Sequence, residues 1–197
     1  MVDTTAPVPS PTESVIEIYT SLGCIAIKLR AGHAPHSCAY ILSLIERGRL
    51  SNSSVFRVVT AKNHASPHLP CVEVAQFGHR CDDPHVPIVL PHESTAQTGL
   101  RHVRGTVSLP RYRPGAVYES FFICFRDEPC LDHGGSRNPD RQGFAAFGSV
   151  IAGWPVLETI YALAGDNEYP ADPVPISATQ INHKAPSPAT TRACPAF

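Results

Sequence analysis

The chain has 197 residues, enough for one domain of ordinary size with a single core. With 16 Lys and Arg against 17 Asp and Glu, it lacks the basic surplus that nucleic-acid binding requires. No apolar run approaches the roughly 18–20 residues of a membrane span, and the opening MVDTTAPVPSPTE has neither the basic start nor the apolar centre of a secretory signal, so the cytoplasm is the expected location.

Proline marks the edges. Pro7, Pro9 and Pro11 predict an extended, disordered tail over residues 1–12, and Pro186, Pro188 and Pro195 another over 184–197. Between them lies one folded unit, 13–183, with no internal repeat. VIEIYT (15–20) and CIAIKLR (24–30) alternate apolar and polar residues on either side of SLG, which predicts a hairpin. In APHSCAYILSLIERG (34–48) the period changes: Cys38, Ile41, Leu42 and Ile45 stand at i, i+3, i+4 and i+7, with Pro35 in the first turn and Gly48 as the stop. Those marks predict a helix. Strand-like runs follow at VFRVV (55–59), CVEVAQF (71–77), GTVSL (105–109), SFFICF (120–125) and FAAFGSVI (144–151). A second helix is expected from Pro155 to Leu163, closed by Gly165, and VPISATQI (174–181) supplies a last strand.

Eight strands with two helices predict an all-β dominated fold, an eight-stranded antiparallel closed barrel capped by the two α-helices. The irregular segments 60–70, 79–104 and 126–143 are long for connections and are the places to look for function. Seven cysteines, scattered without a CxxC pair, read as reduced packing thiols. Of ten histidines, five lie between His64 and His92, but their spacing fits no ligand template. They read as polar loop residues, and no metal or other cofactor is expected.

Several stretches, taken together and in order, resemble the cyclophilin family of peptidyl-prolyl cis–trans isomerases. They are Ala34-Pro35 with Cys38, VFRVV around Arg57, the segment from Gln76 to Gly78, RGTVSL at 104–109, SFFICF at 120–125, Leu131-Asp132, and FAAFGSVIAGWPVL at 144–157. The resemblance covers nearly the whole folded unit. It is nearest to an insertion-bearing, bacterial-like branch, through His92–His102, Gly134–Gly148 and a 60–72 insertion. It implies the barrel inferred above, a pocket on the outside of that barrel, and a cofactor-free monomer that isomerises X–Pro bonds in proline-containing peptides.

Such a reaction needs an apolar seat for the proline ring and a positive donor near the prolyl nitrogen, where a lone pair localises as amide conjugation is lost. Arg57 stands inside an apolar strand, where a charge is costly. By itself it would read more commonly as half of a structural ion pair, but it falls on the family's catalytic arginine. Gln76 falls on the glutamine that helps hold the arginine and the substrate backbone, and Phe122 on the phenylalanine of the proline pocket. Phe56, Leu109, Leu131 and Phe144 complete the expected binding surface. Strand alternation puts Ser120, Phe122 and Cys124 on one face and Phe121, Ile123 and Phe125 on the other.

The departures from the family are concentrated at the same place. Glu73 and Val74 stand where an aromatic and a methionine are common, Phe77 where glycine is usual, Pro110 where alanine is, Ser120 where a glutamine or glutamate is, and Cys130 where many members carry tryptophan. Phe77 is expected to put bulk into the groove, and Pro110 removes a backbone N–H. Two accounts fit: an isomerase of weak or altered specificity, or a pocket reused for cofactor-free isomerisation or cyclisation of a small molecule. In the second, Arg57 would polarise a carbonyl and Glu73 would serve as acid or base if apolar surroundings raised its pKa. An Arg-paired or solvated Glu73 is the commoner reading. A non-catalytic module for proline-containing segments is the third account, and the isomerase ranks first.

Overall fold

The computed structural model describes residues 14–80 and 88–182. The tails expected at 1–12 and 184–197 lie outside them. Among the described residues there are eleven strands and three α-helices: β1 (Val15–Thr20), β2 (Gly23–Leu29), α1 (Pro35–Glu46), β3 (Ser53–Val59), β4 (Val74–Gly78), β5 (Ile88–Val89), α2 (Thr95–Thr98), β6 (Thr106–Leu109), β7 (Arg111–Arg113), β8 (Ala116–Val117), β9 (Ser120–Cys124), β10 (Ala145–Ala152), α3 (Trp154–Ala162) and β11 (Val174–Asn182). Eight of the strands close a barrel in the order β1-β11-β3-β4-β9-β6-β10-β2, each antiparallel to its neighbours.

Alternation decides what fills it. Ile16, Ile18, Ile25, Ile27, Val107, Ile123 and Phe147 are all but fully buried and meet in one interior cluster. The apolar stripe of α1, with Cys38, Ile41, Leu44 and Ile45, covers one side of that core, and Leu157 and Ile160 of α3 add to it. Among the described residues no helix is long and apolar enough to cross a membrane.

The first turn of α1 has no side-chain cap of its own, because Ala34 holds the cap position and no acid follows it. The missing acceptor comes from far along the chain. Glu93 is buried, and its two oxygens accept from the backbone N–H of His36 at 2.9 Å and of Ser37 at 2.8 Å, and from the Ser37 hydroxyl at 2.6 Å. A carboxylate there satisfies orphan donors and opposes the positive end of the helix dipole. Glu93→Gln is expected to lower the unfolding free energy by about 1–2 kcal/mol, read from a denaturant titration.

Two features were not foreseen from the pattern. A small sheet, β5-β8-β7, and the single turn α2 are too short to show a period. The strand expected from Cys71 begins only at Val74, because the Glu73 N–H donates to the Glu128 carboxylate at 2.7 Å instead of joining the ladder.

Candidate active site

Cross-strand register lays one row of side chains over the outer face of the barrel. Arg57 of β3 pairs with Gln76 of β4, Gln76 with Phe122 of β9, and Phe122 with Ser108 of β6. Residues directly opposite one another stand about 4.5–5.5 Å apart at Cβ. A bulge between Val55 and Arg57 shifts the register there, so that Phe56 is the extra residue and Arg57 still faces outward.

Around Phe122 this outer face is apolar. Val59, Val72, Val74, Phe122, Cys124 and Leu131 form a buried cluster separate from the barrel interior, with Cys130 and Phe144 packed against it. Phe144 meets Phe122 edge-on at 5.6 Å, and the His102 ring lies nearly parallel to Phe122 at 6.0 Å. His102 is fixed in turn. Its Nδ1–H donates to Asp132 Oδ1 at 2.7 Å, as does its backbone N–H at 3.0 Å, and Nε2 meets the Ser108 hydroxyl at 3.0 Å. Burial alone would raise the Asp132 carboxyl; the two His102 donors and the charge beside it outweigh that and hold it below its ordinary value. The serine, histidine and aspartate have the connectivity of a hydrolytic triad, but Ser108 is wholly buried, so no substrate carbonyl reaches it. The three serve as the backing of Phe122.

The guanidinium of Arg57 is held by Glu168. Its Nε and Nη2 donate to Glu168 Oε2 at 2.9 and 2.6 Å, and the other oxygen accepts the Ala65 N–H at 2.9 Å. Asn63 ties these segments together, its amide reaching Val58, Gly165 and Asn167 carbonyls. The Arg57 side chain is one-quarter exposed, against 8% for Glu168, and among the described residues its Nη1 donates to no protein group. Desolvation pushes the Glu168 carboxyl up, but the Ala65 N–H, the Arg57 hydrogen bonds and the Arg57 charge bring it below its ordinary value. A carboxyl so lowered contributes stability above its unfolded pKa and loses it as pH falls through the folded one. Glu168→Gln is therefore expected to lower stability at neutral pH and to flatten its fall between about pH 5 and pH 3, measured by thermal melts across that range.

Five expected site residues are not where the sequence placed them. Phe77 does not fill the groove: it is fully buried inside the barrel, stacked on Phe121 at 5.1 Å, because it alternates with the outward Gln76. The position that needs bare backbone is Gly78, with φ +118°, where a Cβ would lie 2.5 Å from the Glu119 carbonyl oxygen. Leu109 likewise points into the core, next to outward Ser108. Ser120 has no exposed surface; it sits beneath Gln76, whose Nε2 donates to it at 3.3 Å. Glu73 leaves the pocket face altogether. It accepts from the Tyr161 hydroxyl at 2.6 Å and pairs with Arg126 at 3.4 Å, the Arg-paired reading.

Gln76 keeps its place in the row, but among the described residues its side chain bonds only to Ser120, and Glu168 is what anchors Arg57. Phe122, Leu131 and Phe144 come together as expected, and Pro110 follows the last residue of β6 without an N–H to offer. Phe56 instead lines a neighbouring cleft of about 330 Å³, with Asn52, Ser54, His79, Arg80 and Tyr169. That cleft adjoins Arg57 through the Tyr169 ring, 5.6 Å from the guanidinium, and its lining mixes Phe56, Pro170 and Pro173 with polar and charged side chains. The surroundings of Phe122 are more uniformly apolar. Glu168, His102 and Asp132 were missed by sequence reasoning, since each acts through a partner distant in the chain and none lies in a periodic run.

The family model described as cyclophilin type peptidyl-prolyl cis-trans isomerase/CLD matches residues 15–181. A peptidyl-prolyl cis-trans isomerase of Streptomyces antibioticus is 26% identical over 174 residues, covering 85% of this chain and 98% of that protein. Peptidyl-prolyl cis-trans isomerase A of Dickeya dadantii is 28% identical over 180 residues, covering 88% and 87%. Among solved structures, a cyclophilin type peptidyl-prolyl cis-trans isomerase of Cryptosporidium parvum superposes with a TM-score of 0.68 at 18% identity, over 88% of this chain and 99% of that one. The same protein in the presence of the dipeptide Ala-Pro gives 0.67 at 19% identity, over 85% and 98%. At that identity the likeness speaks for the barrel.

Proposed function

The chain belongs to the cyclophilin-type peptidyl-prolyl cis–trans isomerase family, and we propose that it isomerises X–Pro bonds of peptides by Arg57-assisted amide rotation over the Phe122 pocket. The observation that carries this reading is the row Arg57, Gln76, Phe122 on the outer face, with an apolar floor at one end and an unmatched guanidinium donor at the other.

Rotating a peptide bond means losing its resonance, a barrier of roughly 18–20 kcal/mol. No covalent bond forms or breaks. With the proline ring seated against Phe122 and Leu131, the prolyl nitrogen comes beside Arg57. In the planar amide that nitrogen is a poor acceptor; in the twisted state its lone pair is localised and the Arg57 Nη1–H donates to it. The interaction is stronger in the transition state than in the ground state, which is the condition for acceleration. Glu168 holds the donor in place before the substrate arrives, and the Gln76 carboxamide, steadied by Ser120, offers its oxygen and remaining N–H to the peptide backbone. Pro110 and Cys130, which replace the usual groups on the rim, give this isomerase its own peptide preference.

The reading as a small-molecule isomerase drew on the substitutions Phe77, Pro110, Ser120 and Cys130 about one site, with Glu73 as an acid or base. Phe77 and Ser120 are buried and Glu73 faces α3, which takes two of the four substitutions and the acid–base group away from that reading. We further propose a cytoplasmic monomer, in keeping with five free thiols among the described residues, two of them buried. The test is NMR exchange spectroscopy on an Ala-Pro peptide. The cis and trans signals are expected to exchange faster on adding catalytic amounts of protein; an exchange rate equal to the uncatalysed one would remove the proposal.

A further inference from the structure

We infer that Arg137, at the rim of the Phe122 pocket, binds an anionic side chain on a residue flanking the isomerised proline, so that acidic or phosphorylated proline segments are the preferred substrates. This deepens the isomerase reading and rests on it.

The position of Arg137 is fixed from both ends. Its backbone N–H donates to the Cys130 carbonyl at 3.1 Å, which sets it against the Cys130–Leu131 wall. Its Nη1 donates to the Pro70 carbonyl at 2.8 Å and meets His64 Nε2 at 3.2 Å. Because a guanidinium only donates, His64 Nε2 is the acceptor and the imidazole proton sits on Nδ1. His64 adjoins Ala65, whose N–H holds Glu168, which in turn holds Arg57. The contacts thus run round the pocket from Arg57 through Glu168 and the 64–70 segment to Arg137 and back to Leu131.

Around that rim the charges do not balance. Arg57, Arg111 and Arg126 each have a carboxylate partner within 4 Å. Arg137 is half-buried, and among the described residues it touches only neutral acceptors. Burial, and then the like charge of Arg57, work against its charged form. A guanidinium does not escape that cost by releasing a proton. Its Nε and Nη2 donate to no described protein group, leaving one edge of the fork for a carboxylate or phosphate, which both accept in a bidentate manner. Arg57 thus has Glu168, whereas among the described residues Arg137 has no carboxylate in contact, and an anionic substrate group completes the set.

The test compares four peptides by exchange spectroscopy: Ala-Ala-Pro-Ala, Ala-Glu-Pro-Ala, Ala-Ala-Pro-Glu, and the second with phosphoserine in place of glutamate. The wild-type protein is expected to give at least one acidic peptide a kcat/KM about tenfold above the neutral one. The comparison of glutamate with phosphoserine tells carboxylate from phosphate. In Arg137→Gln the acidic-to-neutral ratio is expected to fall to about one, and in Arg137→Lys, which keeps the charge and guards against a folding defect, to an intermediate value. The ratio reads specificity independently of any change in overall rate. Equal rates on acidic and neutral peptides in the wild type, or a preference that survives Arg137→Gln, would overturn the inference while leaving the isomerase intact. No acceleration of any of the four would instead remove the isomerase reading itself.

Discussion

Arg57→Ala is expected to lower kcat/KM on an Ala-Pro peptide by about 10²–10³-fold, the usual loss when a single preorganised donor to a developing charge is removed. The protein should remain folded, because Arg57 is one-quarter exposed and its removal leaves Glu168 with the Ala65 N–H still in place. KM is expected to change little, since the donor is matched to the twisted amide and not to the planar one. Arg57→Lys keeps the charge but cannot donate to Glu168 and to substrate from the two edges of one rigid plane, so a large part of the loss remains. A structural ion pair with no catalytic part would behave otherwise. The variant would then lose stability and keep its rate.

Phe77→Ala carries the other large effect, and it falls on stability. The ring is fully buried against Phe121 in the barrel interior, and truncating such a residue leaves a cavity that costs about 3–5 kcal/mol. For a domain whose whole stability lies in the range of about 5–15 kcal/mol, that is a large fraction, and a denaturant titration reads it directly. A Phe77 standing in the substrate groove would give the reverse: little change in stability and faster turnover of peptides as the groove opens. The two outcomes separate the barrel face from the pocket face at a position where the family usually has glycine.

The sequence carried much of the fold because barrel strands announce themselves by alternation, and all eight were readable from runs such as VIEIYT and SFFICF. The helices α1 and α3 were equally plain from their period and their prolines. Within the site, Arg57, Gln76, Phe122 and Leu131 were found through resemblance to a family and not through periodicity. The errors came from face. Applied to 73–78 as it was to 120–125, alternation pairs Phe77 with Phe121 inside the barrel and turns Gln76 outward with Phe122. Identity at an aligned position says which residue is there, and only register says which way it points. What no local pattern carries is the partner. Glu168 reaches Arg57 across 111 residues of chain, and Asp132 reaches His102 across 30. Such pairs are created by the closing of the barrel and by the loops laid over it.

The central claim is that the proline sits over Phe122 beside Arg57. It is tested most directly by titrating an Ala-Pro peptide into isotopically labelled protein and following the amide, aromatic and arginine Nε signals. The account predicts that the largest shifts fall on Arg57, Gln76, Phe122, Leu131 and Phe144, and that Phe122→Ala abolishes them. Shifts confined to Phe56, His79, Arg80 and Tyr169, the lining of the neighbouring cleft, with the Phe122 and Arg57 signals unmoved, would contradict it.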